Sequence, residues 1–261
     1  MRTPRVMLTL STALLFAVGA ASTAGGANLI GHWDFEEGGG STALDSSGNA
    51  LHGAISNATY TEGIIGLYAL DFNGSSAFVE VANDPLLTPQ TIGISLWFKA
   101  RAAQQAQPDL LDKGHGQGSS PYFAGYVLQY QHADPTIVEA FYGNGSNFYS
   151  LGTGPGYLDD TWHHLVANLG EDEIALWVDA ELIDRIAGMG PLVQNNSNLY
   201  FGRHRALGRY FNGLLDDIQL YDGPLSQDDV DAIFPEPATL SLLALCGLSL
   251  LVGRRRARPA K

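Results

Sequence analysis

Apolar positions in this chain recur every second residue, not every third or fourth. In Thr91-Ile92-Gly93-Ile94-Ser95-Leu96-Trp97-Phe98-Lys99, Ile92, Ile94, Leu96 and Phe98 fall on one side of an extended strand. Gly93, Ser95, Trp97 and Lys99 fall on the other. Comparable strands are predicted at 30–35, 69–72, 77–81, 126–130, 137–142, 163–168, 173–178, 198–201 and 213–221. Turn signals stand between them: Asn73-Gly74, Asn144-Gly145, Gly154-Pro155-Gly156, Gly190-Pro191 and Asp222-Gly223. Many short strands joined by glycine and proline turns predict an all-β antiparallel sandwich or jelly roll. The one helix the pattern predicts is 226–233, where Ser226 can cap the N-terminus and the early aspartates suit the helix dipole.

Both ends depart from this pattern. Arg2 and Arg5 precede an apolar stretch, 6–18, and small residues follow at 20–27, with cleavage sites after Ala24 or Ala27. Residues 1–27 therefore read as a signal peptide helix, a retained anchor being the alternative. At the other end Pro235-Glu236-Pro237 precedes an uncharged run, 238–252, and then Arg254-Arg255-Arg256. A helix of that length reaches about 22 Å against a hydrocarbon core of about 30 Å, a marginal transmembrane span. The arginines place the tail in the cytoplasm and the rest outside. Segment 235–261 resembles the PEP-CTERM sorting signal. That resemblance implies a Gram-negative bacterium, an exosortase-type processing protease, and transient anchoring in the inner membrane. An ordinary uncut C-terminal anchor is the alternative, and both readings export the protein to the cell envelope, cell surface or extracellular matrix.

Residues 28–234 remain as one domain, large enough for a full core. Seven of the 14 basic residues lie in the end segments but only Glu236 of the 27 acidic ones, so this stretch carries a net charge near −19. Such a surface repels nucleic acid and anionic lipid and tolerates divalent cations. The single cysteine, Cys246, lies in the apolar tail, which excludes a disulfide, a zinc–thiolate site or a cysteine nucleophile within the domain.

A series of short motifs runs through 28–234: Gly31-His32-Trp33-Asp34-Phe35, Asp45-Ser46-Ser47-Gly48-Asn49, Ala69-Leu70-Asp71-Phe72-Asn73-Gly74, Ile94-Ser95-Leu96-Trp97-Phe98, Trp162-His163-His164-Leu165-Val166, Leu176-Trp177-Val178-Asp179, Tyr200-Phe201-Gly202-Arg203 and Phe211-Asn212-Gly213-Leu214-Leu215-Asp216-Asp217-Ile218. In this order they resemble LamG-like jelly-roll domains of the concanavalin A-like lectin/glucanase superfamily. Asp179-Ala180 departs from the Asp-Gly usual in that family. The resemblance implies an antiparallel jelly roll with carbohydrate-binding, adhesive or glycan-cleaving relatives, and often a structural calcium ion.

Calcium takes six to eight oxygen ligands. With first and last strands side by side, as is usual in jelly rolls, Asp34 or Glu36 is expected to approach Asp216, capped by the loop of Asp45 to Asn49; the alternative is a hydrogen-bonded aspartate cluster. Asp216 is expected on the face of Leu214, Ile218 and Leu220. Trp97, Tyr130 and Tyr142 are candidate carbohydrate-stacking rings, although aromatic rings also fill sandwich cores. Of His163 and His164, one is expected as a satisfied core residue. The superfamily's glycosidases carry paired carboxylates as Glu-x-Asp-x-x-Glu, which is absent; serine-hydrolase, phosphate-loop and zinc-protease motifs are absent too. The expectation is a non-catalytic binding module with a polysaccharide or cell-surface protein as ligand. A polysaccharide hydrolase or lyase, and a purely structural protein, are the alternatives.

Overall fold

The computed structural model describes residues 26–114 and 123–234; the segments expected as a signal peptide (1–27) and as a PEP-CTERM-like tail (235–261) lie outside the described residues, apart from Gly26 and Ala27. In chain order the strands are β1 (Leu29–Trp33), β2 (Thr42–Ala43), β3 (Gly53–Ser56), β4 (Thr59–Glu62), β5 (Tyr68–Asn73), β6 (Phe78–Val81), β7 (Thr91–Ala100) and β8 (Asp109–Asp112). They continue with β9 (Ala124–Tyr130), β10 (Val138–Asn144), β11 (Phe148–Gly152), β12 (Trp162–Gly170), β13 (Glu173–Val178), β14 (Glu181–Ala187), β15 (Leu199–Phe201) and β16 (Asn212–Tyr221). One short helix, α1 (Gln227–Ile233), follows. Among the described residues no helix is long and apolar enough to cross a membrane.

The strands form two antiparallel sheets of eight. Sheet A runs β14-β13-β12-β7-β16-β5-β4, with β1 also on β16. Sheet B runs β11-β10-β9-β8-β15-β6-β3-β2. The alternation read in the sequence packs the two sheets together. Ile92, Ile94, Leu96 and Phe98 of β7 share one buried cluster with Tyr126, Leu128 and Tyr130 of β9 and Val138, Ala140 and Tyr142 of β10. Trp33 and Phe35 are fully buried. Trp33 of sheet A meets Phe201 of sheet B edge-on at 4.9 Å.

Strand β16 changes partner midway. Gly213, Leu214 and Leu215 pair with β5, whereas Ile218, Gln219 and Leu220 pair with β1. The register breaks between Asp216 and Gln219, and Asp217 adopts φ 45°. This bulge lets β1 and β5 share one edge of the same strand.

The outer face of sheet A is covered by the chain's own C-terminal strap. Ser226 caps α1 in a capping box with Asp229, as its sequence anticipates. Val230 and Leu225 pack on Val166, Ala175 and Trp177 in a second, smaller apolar cluster. The Asn168 side chain fixes the strap by accepting from Leu225 N and donating to Leu225 O, both at 2.9 Å.

The β13–β14 hairpin turns through Asp179 (φ 51°) and Ala180 (φ 66°), left-handed conformations that favour glycine. Asp179 is held there by His164 N, which donates to its Oδ1 at 2.9 Å. Ala180 has no comparable compensation from its methyl side chain. Ala180→Gly is therefore expected to raise stability, by about 0.5–1 kcal/mol, in urea unfolding. An unchanged or lower midpoint would contradict this.

Candidate functional site

The sequence-predicted rings sit inside. Tyr130 and Tyr142 are fully buried between the sheets, and their hydroxyls donate to Tyr157 O and Gly190 O. Trp97 does lie on the outer face of sheet A, but the strap closes over it: Phe234 stacks on the indole at 5.5 Å and His164 at 5.0 Å. None of the three offers a ring face to solvent, because two carry core parity and the third is roofed by Phe234.

Asp34, Asp45 and Asp216 do not surround a common point. Among the described residues they form no group of converging ligand atoms. Asp45 Oδ1 accepts from His32 N and Ser47 N, and its Oδ2 from Leu51 N, all at 2.9 Å. Although burial opposes it, those hydrogen bonds hold the Asp45 pKa below its ordinary value. Asp216 turns to the face of Trp97, opposite Ile218 and Leu220, because the bulge reverses the parity after it. Its carboxylate accepts from Ile64 N, Ile65 N and Asp217 N. Burial raises its pKa to about 7, against the pull of those amides. Asp34 makes a long contact, 3.4 Å, with Glu36 N. These carboxylates hold loops and a bulge, so the family's calcium expectation does not fit this trio.

The outer side of sheet B is closed at its centre, where Val127, Asp109 and Asp112 are fully buried, and is partly open toward its β6–β15 end. Alternation sends the neighbours of its core residues outward, and the registers align them in a row: Ser150, Phe141, Val127, Asp112, Tyr200, Glu80, Ala54. A second row holds Glu139, Gln129 and Asp109. At the β6–β15 end, Tyr200 and Asn198 both donate to Glu80 Oε1, at 2.8 and 2.6 Å. The Arg203 guanidinium lies over Phe78 at 4.5 Å, Tyr200 at 4.9 Å and Tyr210 at 5.8 Å. It is locked there by donating to His204 O and Arg205 O. All four of these stacked residues are only partly buried. Planar rings, a fixed cation, a carboxylate and an amide on one rigid surface suit a ligand with both apolar and hydroxyl groups.

Asp109 and Asp112 are the residues sequence reasoning missed. Both are fully buried in the floor of this face. Asp112 Oδ1 accepts from Gly114 N at 2.5 Å and its Oδ2 from Arg205 N at 2.9 Å. Among the described residues neither oxygen of Asp109 accepts from an N–H group; the carboxyl group it faces is that of Asp112. Burial, followed by the neighbouring Asp112, pushes the Asp109 pKa well above the carboxylate range, although Arg209 and Arg205 oppose the shift. Nearby, the Lys113 ammonium is wholly committed: it donates to Asn83 Oδ1, Asn195 Oδ1 and Ser197 O.

The whole is a two-sheet antiparallel jelly roll with the outer face of sheet A covered by the C-terminal strap. Residues 73–231 match Laminin_G_3, the concanavalin A-like lectin/glucanases superfamily, and the chain belongs to that family. It is 25% identical over 194 residues to the adhesion G-protein coupled receptor V1 of Danio rerio; the match takes 70% of this chain and 3% of the receptor. Its fold is similar to domain 4 of AbnA, an extracellular GH43 arabinanase of Geobacillus stearothermophilus solved with arabinotriose. The TM-score is 0.64 at 20% identity, over 80% of this chain and 99% of that one. The binding domain of Paraclostridial Mosquitocidal Protein 1 is similar too, with TM-score 0.63 and 14% identity, over 79% of this chain and 52% of that one.

Proposed function

We propose that the protein is an exported, non-catalytic binding module that takes a carbohydrate, or the glycan-like surface of a cell-surface protein, on the outer face of sheet B. The observation that carries this is the locked stack of Arg203 on Phe78, Tyr200 and Tyr210 beside Glu80 and Asn198. Stacking rings next to fixed hydrogen-bonding groups match the alternating apolar and hydroxyl faces of a pyranose. The arabinotriose bound to AbnA domain 4 gives the same fold a sugar ligand. The polysaccharide hydrolase or lyase alternative calls for two carboxylates flanking an open cleft. The carboxylate pair in the floor of this face, Asp109 and Asp112, is sealed from solvent, which favours binding over cleavage.

The charge and end segments supply the setting. An acidic body between a signal-peptide-like start and a PEP-CTERM-like tail points to export from a Gram-negative cell, with exosortase-type processing of 235–261. Mass spectrometry of the surface-released protein is then expected to find the chain without its apolar run 238–252; recovery of the intact tail would support the ordinary anchor.

The binding reading is tested on a glycan array with the purified protein and its Tyr200→Ala and Arg203→Ala variants. Each substitution is expected to weaken a positive signal about tenfold or more, the scale of an interface hot spot. Binding that survives both substitutions would move the site elsewhere. Release of reducing ends from a bound polysaccharide would replace the reading with the enzyme one.

A further inference from the structure

We propose that Asp109, Asp112 and His204 form a site for one divalent transition-metal ion, in the floor of sheet B beneath the binding face. One ligand atom from each of these buried residues lies within 4.8 Å of the others. The decisive feature is Asp109. It is fully buried, neither of its oxygens accepts from an N–H group among the described residues, and it faces a second carboxylate. A buried carboxylate without donors is costly unless it takes up a proton or a cation.

The protein brings the two aspartates together by design of its backbone. Residues three apart on a regular strand point to opposite faces. The register break between Asp109 and Leu111 inserts one residue and turns both carboxylates to the same side. His204 arrives from the segment after β15, which folds over the sheet through the Arg203–Tyr210 bridge. Its Nδ1 accepts from Ala206 N and Leu207 N, both at 3.0 Å, so Nδ1 carries no proton. It stands 3.9 Å from Asp112 Oδ2. A cation bound there shares or replaces the two amide contacts.

Two carboxylates and one imidazole are a mixed oxygen–nitrogen set. That set suits Mn2+ or Zn2+, whereas Ca2+ prefers an all-oxygen shell. Arg205, with its Nη1 3.9 Å from Asp112 Oδ2, and Arg209 act against a dication and hold the affinity below that of a dedicated cage. The consequence for the binding face is direct. Asp112 sits beside Tyr200 in the sheet and also accepts from Arg205 N, so an ion there stiffens the strand and the segment that carry the aromatic–arginine stack.

The test uses the purified protein after exhaustive chelation, titrated with MnCl2, ZnCl2 or CaCl2. Mn2+ binding is followed by loss of the free-ion electron paramagnetic resonance signal, and stability by thermal unfolding. One saturable Mn2+ site is expected, with a rise in Tm that Zn2+ reproduces and Ca2+ does not. Asp109→Asn is expected to fold, because its new amide can donate to Asp112, and to lose Mn2+ affinity at least about tenfold. Removing a ligand should exceed the loss seen on removing a ligand's outer partner. Asp112→Asn should behave alike. Absence of saturable Mn2+ binding in the parent protein, or equal affinity in Asp109→Asn, overturns the proposal and leaves a carboxyl pair sharing a proton. A Tm rise with Ca2+ equal to that with Mn2+ overturns the metal class.

Discussion

Trp33→Ala is expected to remove about 3–5 kcal/mol of folding stability, the usual range for truncating a buried tryptophan. This is a large share of the roughly 5–15 kcal/mol that holds a domain of ordinary stability. The size follows from three roles in one side chain. Trp33 fills the centre of the sandwich with no exposed surface. It joins the sheets by its edge-on contact with Phe201. Its Nε1 donates to Leu51 O at 2.9 Å, while Leu51 N donates to Asp45 Oδ2, so the loop between Asp45 and Leu51 is fastened at both ends. Trp33→Phe retains most of the packing but leaves the Leu51 carbonyl without its donor, so a smaller loss of about 1–3 kcal/mol is expected. Urea unfolding of both variants checks the ranking. The loop should also become the first site of limited proteolysis. Equal stabilities for the two variants would mean that volume does not matter at this point in the core, and would contradict the packing argument.

Strand periodicity made the fold legible because each sheet buries one face against the other, which leaves the alternation intact from Ile92 to Phe98 and from Tyr126 to Tyr130. The helix at 227–233 was legible through its cap, since Ser226 and Asp229 are a local signal. Covering was not legible. Trp97 reads correctly as outward-facing, yet nothing in its own strand announces that Phe234, far along the chain, will lie on it. Parity could have excluded Tyr130 and Tyr142 as ligand rings, because Leu128, Val138 and Ala140 share their side. The same parity would have led to Tyr200 and Glu80, which alternate with Leu199, Phe201, Val79 and Val81. Bulges hid the rest. Ile218 and Leu220 change face after the break in β16, which leaves Asp216 on the opposite side from them, and Asp109 joins Asp112 only through the break in β8. A single inserted residue reverses every side chain beyond it, and no residue type marks these insertions in the sequence.

His164 shows what such covering does to a titrating group. The ring is fully buried against both Trp97 and Phe234, its Nε2 is 2.7 Å from Ser95 Oγ, and its Nδ1 has no partner among the described residues. Burial lowers its pKa from 6.5 to about 4, outweighing Asp217 and Asp179. The folded protein therefore favours the neutral ring. The stabilisation is complete above pH 6.5 and is lost as pH falls toward 4, by about 3 kcal/mol at 1.36 kcal/mol per pH unit. His163, the next residue back, faces the other way and bonds to Asp179, which raises its pKa against the effect of burial. Its contribution has the opposite sign: present below pH 6.5 and lost as pH rises through its folded value. The two histidines partly cancel in the parent protein, so the measurement must be a difference. His164→Gln can keep a hydrogen bond to Ser95 without acquiring charge. Its stability relative to the parent should rise steadily between pH 7 and pH 4, and tryptophan fluorescence should show the strap staying closed in acid. Parallel pH profiles would mean that Phe234 opens to let water reach the imidazolium at little cost, and that the strap is only loosely held.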